Sequence, residues 1–151
     1  MFEIVLSLCM VASPETCETR LLPVSAVDCT QAVARAEEIA PDWGDALLAG
    51  PFDCVERPIS GMAFEEAAPG VYVHRGHVQD VTPDNLGDVA NIGFIIGDES
   101  VAVIDAGGSR AVGEAVYLAV RQVTDKPISH LILTRPGHFH RATELGAGRN
   151  L

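Results

Sequence analysis

Four polar side chains in the second half of the chain could together do metal chemistry. Asp105 follows one apolar run, Thr134 ends another, and His138 and His140 come shortly after Thr134. Imidazole nitrogens are common zinc ligands, and zinc lowers the pKa of its bound water so that hydroxide is available near neutral pH. Active-site groups gather at the carboxyl ends of strands in open α/β sheets, so we expect Asp105 and the segment after Thr134 to emerge side by side. The alternative for Asp105 is a turn residue that caps the next helix.

The elements that must position these groups are strands and one long helix. Ser109 can cap a helix over residues 110–123. Its apolar residues recur every three or four positions and predict one buried face, formed by Val112, Val116, Ala119 and Val123. Apolar runs and alternation predict strands over residues 62–66, 71–75, 92–96, 100–104 and 128–133. The unit is therefore strand, strand, helix, strand, which is an α/β arrangement.

Three further histidines are less informative. Residues 128–133 are apolar apart from Ser129 and His130, which predicts a strand covered on both faces and a buried, structural His130. His74 and His77 flank a turn at Gly76, where a solvated loop is favoured over a pair of metal ligands.

The segments around Asp105 and Thr134 resemble the first half of the metallo-β-lactamase fold hydrolases. More narrowly, three segments look like the branch called quinoprotein relay system zinc metallohydrolases. They are Gly70-Val71-Tyr72-Val73-His74-Arg75-Gly76, Gly87-Asp88-Val89-Ala90-Asn91-Ile92-Gly93-Phe94 and Gly107-Gly108-Ser109-Arg110-Ala111-Val112-Gly113-Glu114-Ala115. The cysteine-bearing start, Met1-Phe2-Glu3, also resembles an extension of that branch.

This resemblance implies the sheet-and-helix half of an αββα domain over residues 61–134. It also implies zinc as cofactor, a small-molecule substrate, and attack of metal-activated water on an ester, thioester or amide. Asp105 and Thr134 would then support the metal loop without binding the metal. The association of the branch with periplasmic quinoprotein systems favours a periplasmic location.

The sequence departs from the superfamily motif where the ligands are expected. After the strand the superfamily has Thr-His-x-His-x-Asp-His, whereas this chain has Arg135, Gly137 and Phe139 at the first three ligand positions. His140 falls on the last position, and moving the alignment to use His138 and His140 still gives fewer than three ligands. Two imidazoles bind zinc weakly, so a working zinc site in one copy of this chain is not expected.

The first 60 residues have a different character and contain all four cysteines. We expect a small Cys-containing α+β module with two disulfides, although four reduced thiols or a zinc site are alternatives. Residues 4–12 predict a strand followed by a turn at residues 13–15. Asp28 or Thr30 can cap a helix over residues 30–39. The Gly- and Pro-rich stretch 50–61 predicts a boundary between modules.

Charge limits the possible partners. The net charge of −11 repels nucleic-acid phosphates and anionic membrane surfaces, so neither is an expected partner. Residues 1–134 hold 20 acidic and 7 basic side chains, whereas residues 135–151 hold three arginines and one glutamate. This change in charge composition after residue 134 predicts that residues 135–151 are an aberrant tail.

Three hypotheses follow from these patterns. The first is a truncated or frameshifted zinc hydrolase that is inactive alone and self-associates through an uncovered sheet. The second is a non-catalytic binding domain that keeps the scaffold. The third is a zinc ion held between two copies through His138 and His140. A motif with three ligands in another reading frame after codon 134 would favour the first hypothesis.

Overall fold

The structure, a computed structural model, describes residues 1–39 and 47–134 of the chain. These residues form a mixed α/β structure with two sheets, two helices and two disulfides. The chain divides into two compact units, Met1–Pro58 and Ile59–Leu151. In chain order the elements are β1 (Phe2–Met10), β2 (Ser13–Ala26), α1 (Cys29–Ile39), β3 (Leu47–Glu56), β4 (Glu65–Ala68), β5 (Val71–His74), β6 (Ile92–Ile96), β7 (Val101–Ile104), α2 (Arg110–Val123) and β8 (Ile128–Ile132).

The first unit is an antiparallel sheet, in the order β2-β1-β3, with α1 packed against it. Alternate residues of β1 point into the core, as a strand with one covered face requires. Ala32 and Ala36 are one helical turn apart, and both are fully buried against that face. The Asp28 carboxylate accepts a hydrogen bond from the backbone N–H of Gln31 at 3.0 Å, which confirms Asp28 as the cap of α1.

One prediction in this unit was wrong. The turn expected at residues 13–15 lies at Val11 and Ala12, and β2 already begins at Ser13. The stretch 50–61, which predicts a boundary, contains the division between the two units at Pro58 and Ile59. Its first residues, Gly50 and Pro51, lie inside β3, where both oppose Ser7 in a bulge. Proline is tolerated there because β3 is an edge strand and a bulge interrupts the ladder.

The cysteines form the two expected disulfides. Cys9 and Cys17 are directly opposite in the β1–β2 ladder, and their bond closes that hairpin. Cys29 begins α1, and its bond to Cys54 ties the helix to β3. Since the second disulfide joins elements separated by 25 residues, it holds the helix against the sheet.

The second unit is a five-stranded sheet in the order β4-β5-β6-β7-β8. Its first four strands are antiparallel, and α2 carries the chain to β8, which lies parallel to β7. Strand β6 has the predicted bounds, and α2 has the predicted bounds and the predicted Ser109 cap. Strand β4 begins at Glu65 rather than at residue 62.

Strand β8 is more exposed to solvent than the sequence predicts. Ile132 is 50% exposed, and His130 is also exposed, so the expectation of a strand buried on both faces was wrong. The physical reason is position, because β8 is the edge strand of this sheet among the residues that the structure describes. On α2, Tyr117 and Val120 are buried whereas Val123 is 45% exposed, so the buried face turns away from the predicted one near its end.

Candidate functional site

Asp105 and Thr134 meet where two neighbouring parallel strands end. Asp105 follows β7 with a φ of 57°, a left-handed conformation that is uncommon for a residue with a side chain. Its backbone N–H donates to the carbonyl oxygen of Ile132 at 2.8 Å, which extends the β7–β8 ladder by one hydrogen bond. A strained backbone at a strand end persists only when its surroundings hold it, and such positions cluster at functional sites.

Both oxygens of the Asp105 carboxylate accept hydrogen bonds from Thr134. Oδ1 accepts the backbone N–H of Thr134 at 2.9 Å, and Oδ2 accepts its hydroxyl at 2.6 Å. Because each oxygen already has a partner, this carboxylate positions the chain at Thr134 rather than standing free as a base. The segment after Thr134 therefore starts from a fixed point at the carboxyl edge of the sheet.

Two glycine turns pack together next to Asp105. Gly87 and Gly107 have φ values of +85° and +78°, which favour glycine, and the Gly108 N–H donates to the Gly87 carbonyl oxygen at 3.0 Å. A Cβ atom on Gly108 would lie 2.9 Å from that same oxygen. The two backbones touch directly, and only glycine permits this approach.

The His74 side chain forms a hydrogen bond with the loop that contains Gly87. Its Nε2 lies 2.8 Å from Asp88 Oδ1, and its Nδ1 lies 2.8 Å from the Ala63 carbonyl oxygen. The His74 side chain is only 11% exposed, so the prediction of a solvated loop was wrong for this residue. Sequence reasoning also missed Asp88, for which the only available signal was its place after the turn glycine.

An aromatic cluster lies beside His74. The Phe64 ring contacts the rings of His74 and Phe94, with centroids 5.5 Å and 5.0 Å away. Tyr72 stacks on Phe94 at 4.6 Å. Burial raises the pKa of the Tyr72 hydroxyl, and its hydrogen bond and charge interaction with Glu66 raise the pKa further. This cluster fixes β5 against β6, which is the framework for the loop after His74.

The predicted site residues have different outcomes. Asp105 and Thr134 come together, whereas His138 and His140 lie outside the described residues. His130 lies in the middle of β8, four residues before Thr134. Within residues 1–39 and 47–134, no group of three or more His, Cys, Asp or Glu side chains could hold a metal ion. Of the predicted site, the described residues contain the link between Asp105 and Thr134 and no complete ligand set.

Comparison with known proteins gives no assignment: the chain matches no protein-family model and no curated protein. In the part of the chain that the structure describes, neither helix is long and apolar enough to cross a membrane.

Proposed function

We propose that residues 61–134 are the N-terminal part of a metallo-β-lactamase-like domain, closest to the quinoprotein relay system zinc metallohydrolases. The observation that carries the proposal is the link between Asp105 and Thr134. It joins the ends of two parallel strands and fixes the first residue of the segment in which that superfamily has its zinc ligands. The glycine turns at Gly87 and Gly107 support it, because they bring a second loop to the same edge.

The family activity is hydrolysis of a small-molecule ester, thioester or amide. Zinc, when bound, supplies a water molecule whose pKa is lowered to about 7, which makes hydroxide available as the nucleophile. The residues of this chain do not fit a complete zinc site, because one alignment leaves His140 alone at a ligand position and the shifted alignment leaves only His138 and His140. The chain is therefore inactive alone, and its own contribution is the anchoring of the loop by Asp105.

Restoring the motif tests this proposal. The triple substitution Arg135→His, Gly137→His and Phe139→Asp recreates Thr-His-x-His-x-Asp-His with the native His140. We expect the unchanged protein to bind zinc no tighter than about 10 μM, a weak affinity. The triple variant should bind at least about 100-fold tighter, because three or four well-placed ligands satisfy tetrahedral zinc. Calorimetric titration with zinc chloride measures both affinities.

A matched control separates the scaffold from the bare motif. Adding Asp105→Asn to the triple variant weakens the hydrogen bonds to Thr134. Zinc affinity should then fall about 10- to 100-fold, which is the usual effect of losing a residue that supports the metal ligands. Asp98→Asn changes an exposed turn carboxylate and should leave the affinity unchanged. Equal zinc affinity with and without Asp105→Asn would contradict the proposal, since the loop would then bind metal independently of this sheet.

A non-catalytic binding domain is the second candidate, favoured by the lack of a complete ligand group among the described residues. The two candidates differ in their expected behaviour in solution. Ile95 and Ile132 are 41% and 50% exposed, and β8 is a sheet edge. A partial domain should therefore self-associate through this sheet. Size-exclusion chromatography with thermal unfolding tests this, and a cooperative monomer would favour the binding domain.

A further inference from the structure

We propose that Ser129 is a base-assisted nucleophile and a site of covalent acylation by activated esters or thioesters. Its hydroxyl lies between two partners, with the Ser129 Oγ 2.7 Å from the Ser100 Oγ and 2.7 Å from the Nδ1 of His130. A serine within hydrogen-bond reach of an imidazole is the basic requirement for nucleophilic catalysis. This inference is independent of zinc and of the proposed hydrolase.

The strand is irregular at the point that makes this contact possible. Neighbouring residues of a regular strand point to opposite faces, so Ser129 and His130 would not meet. Here Val101 pairs with Ile128 and Ala102 pairs with His130, which leaves Ser129 as an extra residue in β8. Bulges of this kind redirect side chains and occur next to active sites.

In the structure the Ser129 hydroxyl donates to the Ser100 Oγ, and the Nδ1 of His130 lies at the same distance from the Ser129 Oγ. A hydroxyl has one proton and two lone pairs, so rotation of the two hydroxyls gives the reactive arrangement, in which Ser100 donates to Ser129 and Ser129 donates to His130. In that arrangement His130 carries its own proton on Nε2. Both Ser129 and His130 are exposed, so a reagent can reach the Oγ atom from solvent. Ser100 orients the nucleophile and does not itself react.

The site is separate from the Asp105 region. Ser100 precedes β7 and Asp105 follows it, so the two residues are five steps apart along an extended strand, or about 17 Å at roughly 3.3 Å per residue. In the proposed step the Ser129 Oγ attacks the carbonyl carbon of an aryl ester. An Oγ–carbon bond forms, the Ser129 proton passes to His130 Nδ1, and the bond to the leaving phenolate breaks. The product is an acyl-serine and the free phenol or phenolate.

Labelling of the full chain with p-nitrophenyl acetate tests the inference. Peptide mass spectrometry should find one acetyl group on Ser129, formed well before any acetyl on Ser7, an exposed serine of β1. Acetylation of Lys126 or the N-terminal amine gives amides, which alkaline hydroxylamine does not remove, whereas it removes the ester from Ser129. Release of p-nitrophenolate gives the rate of the labelling reaction.

Variants assign the roles. His130→Gln should slow labelling of Ser129 by about 100-fold, the lower end of what a general base contributes. Ser100→Ala should slow it about fivefold, the value of one neutral hydrogen bond. Circular dichroism should show that all variants remain folded, because neither changed side chain is buried. Labelling of Ser129 that is no faster than that of Ser7, or that is unchanged by His130→Gln, would overturn the inference.

Discussion

Arg57 and Glu3 form an ion pair in the first unit, with the Arg57 Nε 2.7 Å from the Glu3 Oε1. The Glu3 side chain is fully buried, and the Ser25 hydroxyl donates to the same carboxylate oxygen at 2.6 Å. The cluster therefore joins the start of β1, the end of β2 and the residue after β3. A buried charge of this kind depends on its partner, because desolvation makes an uncompensated carboxylate costly.

Arg57→Met should destabilise the first unit by about 3–5 kcal/mol, the usual cost of removing one partner of a buried ion pair. Urea unfolding followed by far-ultraviolet circular dichroism measures the loss. The control is Glu3→Met combined with Arg57→Met, which removes both charges and should be milder than Arg57→Met alone. A double variant that is less stable than the single one would show that Arg57 acts through packing instead of charge.

Gly107→Ala should destabilise the second unit by about 2–4 kcal/mol. The residue has a φ of +78°, and an added Cβ would overlap a methyl carbon of Val112 in α2. The cost combines left-handed backbone strain with overpacking of the helix. Gly61→Ala is the matched control, because nothing lies within 4 Å of its Cβ position. Similar melting temperatures for the two variants would contradict this account.

The predicted elements of the second unit were mostly confirmed because their signals are local. Ser109 followed by an amphipathic run defines α2, and the apolar residues of β6 define that strand. The exposure of His130 could not be predicted, because the apolar run of β8 is the same in a central strand and in an edge strand. Burial depends on which strand lies beside it, and that is a property of the whole sheet.

Other features depend on contacts between residues distant in sequence. Asp105 could be selected because it ends an apolar strand, and its link to Thr134 follows from the parallel arrangement of β7 and β8. The hydrogen bond between His74 and Asp88 joins residues 14 positions apart across an irregular loop. No hydrophobic periodicity or motif spacing in the sequence predicts such a contact. The pairing of the four cysteines was also undetermined, since three connectivities are possible.

Tyr72 should ionise at a higher pH than an ordinary tyrosine. Burial raises the pKa of its hydroxyl above the ordinary value of 10.0, and Glu66 adds to the shift through a hydrogen bond and its charge. Ultraviolet titration of phenolate absorbance measures this, with Tyr117→Phe present so that Tyr72 is the only tyrosine left. Adding Glu66→Gln should lower the pKa, whereas Glu65→Gln, which changes the neighbouring residue on β4, should leave it nearly unchanged.

The sign of the effect on stability follows from the raised pKa. Above about pH 10 the unfolded chain loses the Tyr72 proton while the folded chain keeps it. The contribution of Tyr72 to stability is therefore complete below that pH and is lost as the pH rises through the folded-state pKa. Glu66→Gln should make the loss smaller. A Tyr72 pKa that does not respond to Glu66→Gln would contradict the assigned cause.

The two disulfides should contribute unequally to the stability of the first unit. In the chain-entropy treatment, a cross-link stabilises by restricting the unfolded chain, and the effect grows with the loop it closes. The sequence separations of 25 for Cys29–Cys54 and 8 for Cys9–Cys17 correspond to about 3.5 and about 2.5 kcal/mol. Paired serine substitutions should therefore lower stability more at Cys29 and Cys54 than at Cys9 and Cys17.

Denaturant unfolding of the two paired variants, each with the other disulfide intact, measures this difference. The structure adds a reason for the same order, because Cys29–Cys54 ties α1 to β3, whereas Cys9–Cys17 links two strands already paired in a hairpin. Loss of Cys29–Cys54 should also loosen Ala32 and Ala36 from the sheet, which faster amide hydrogen exchange in α1 would report. A greater loss of stability from removing Cys9–Cys17 would show that the hairpin, rather than the docking of α1, limits the stability of this unit.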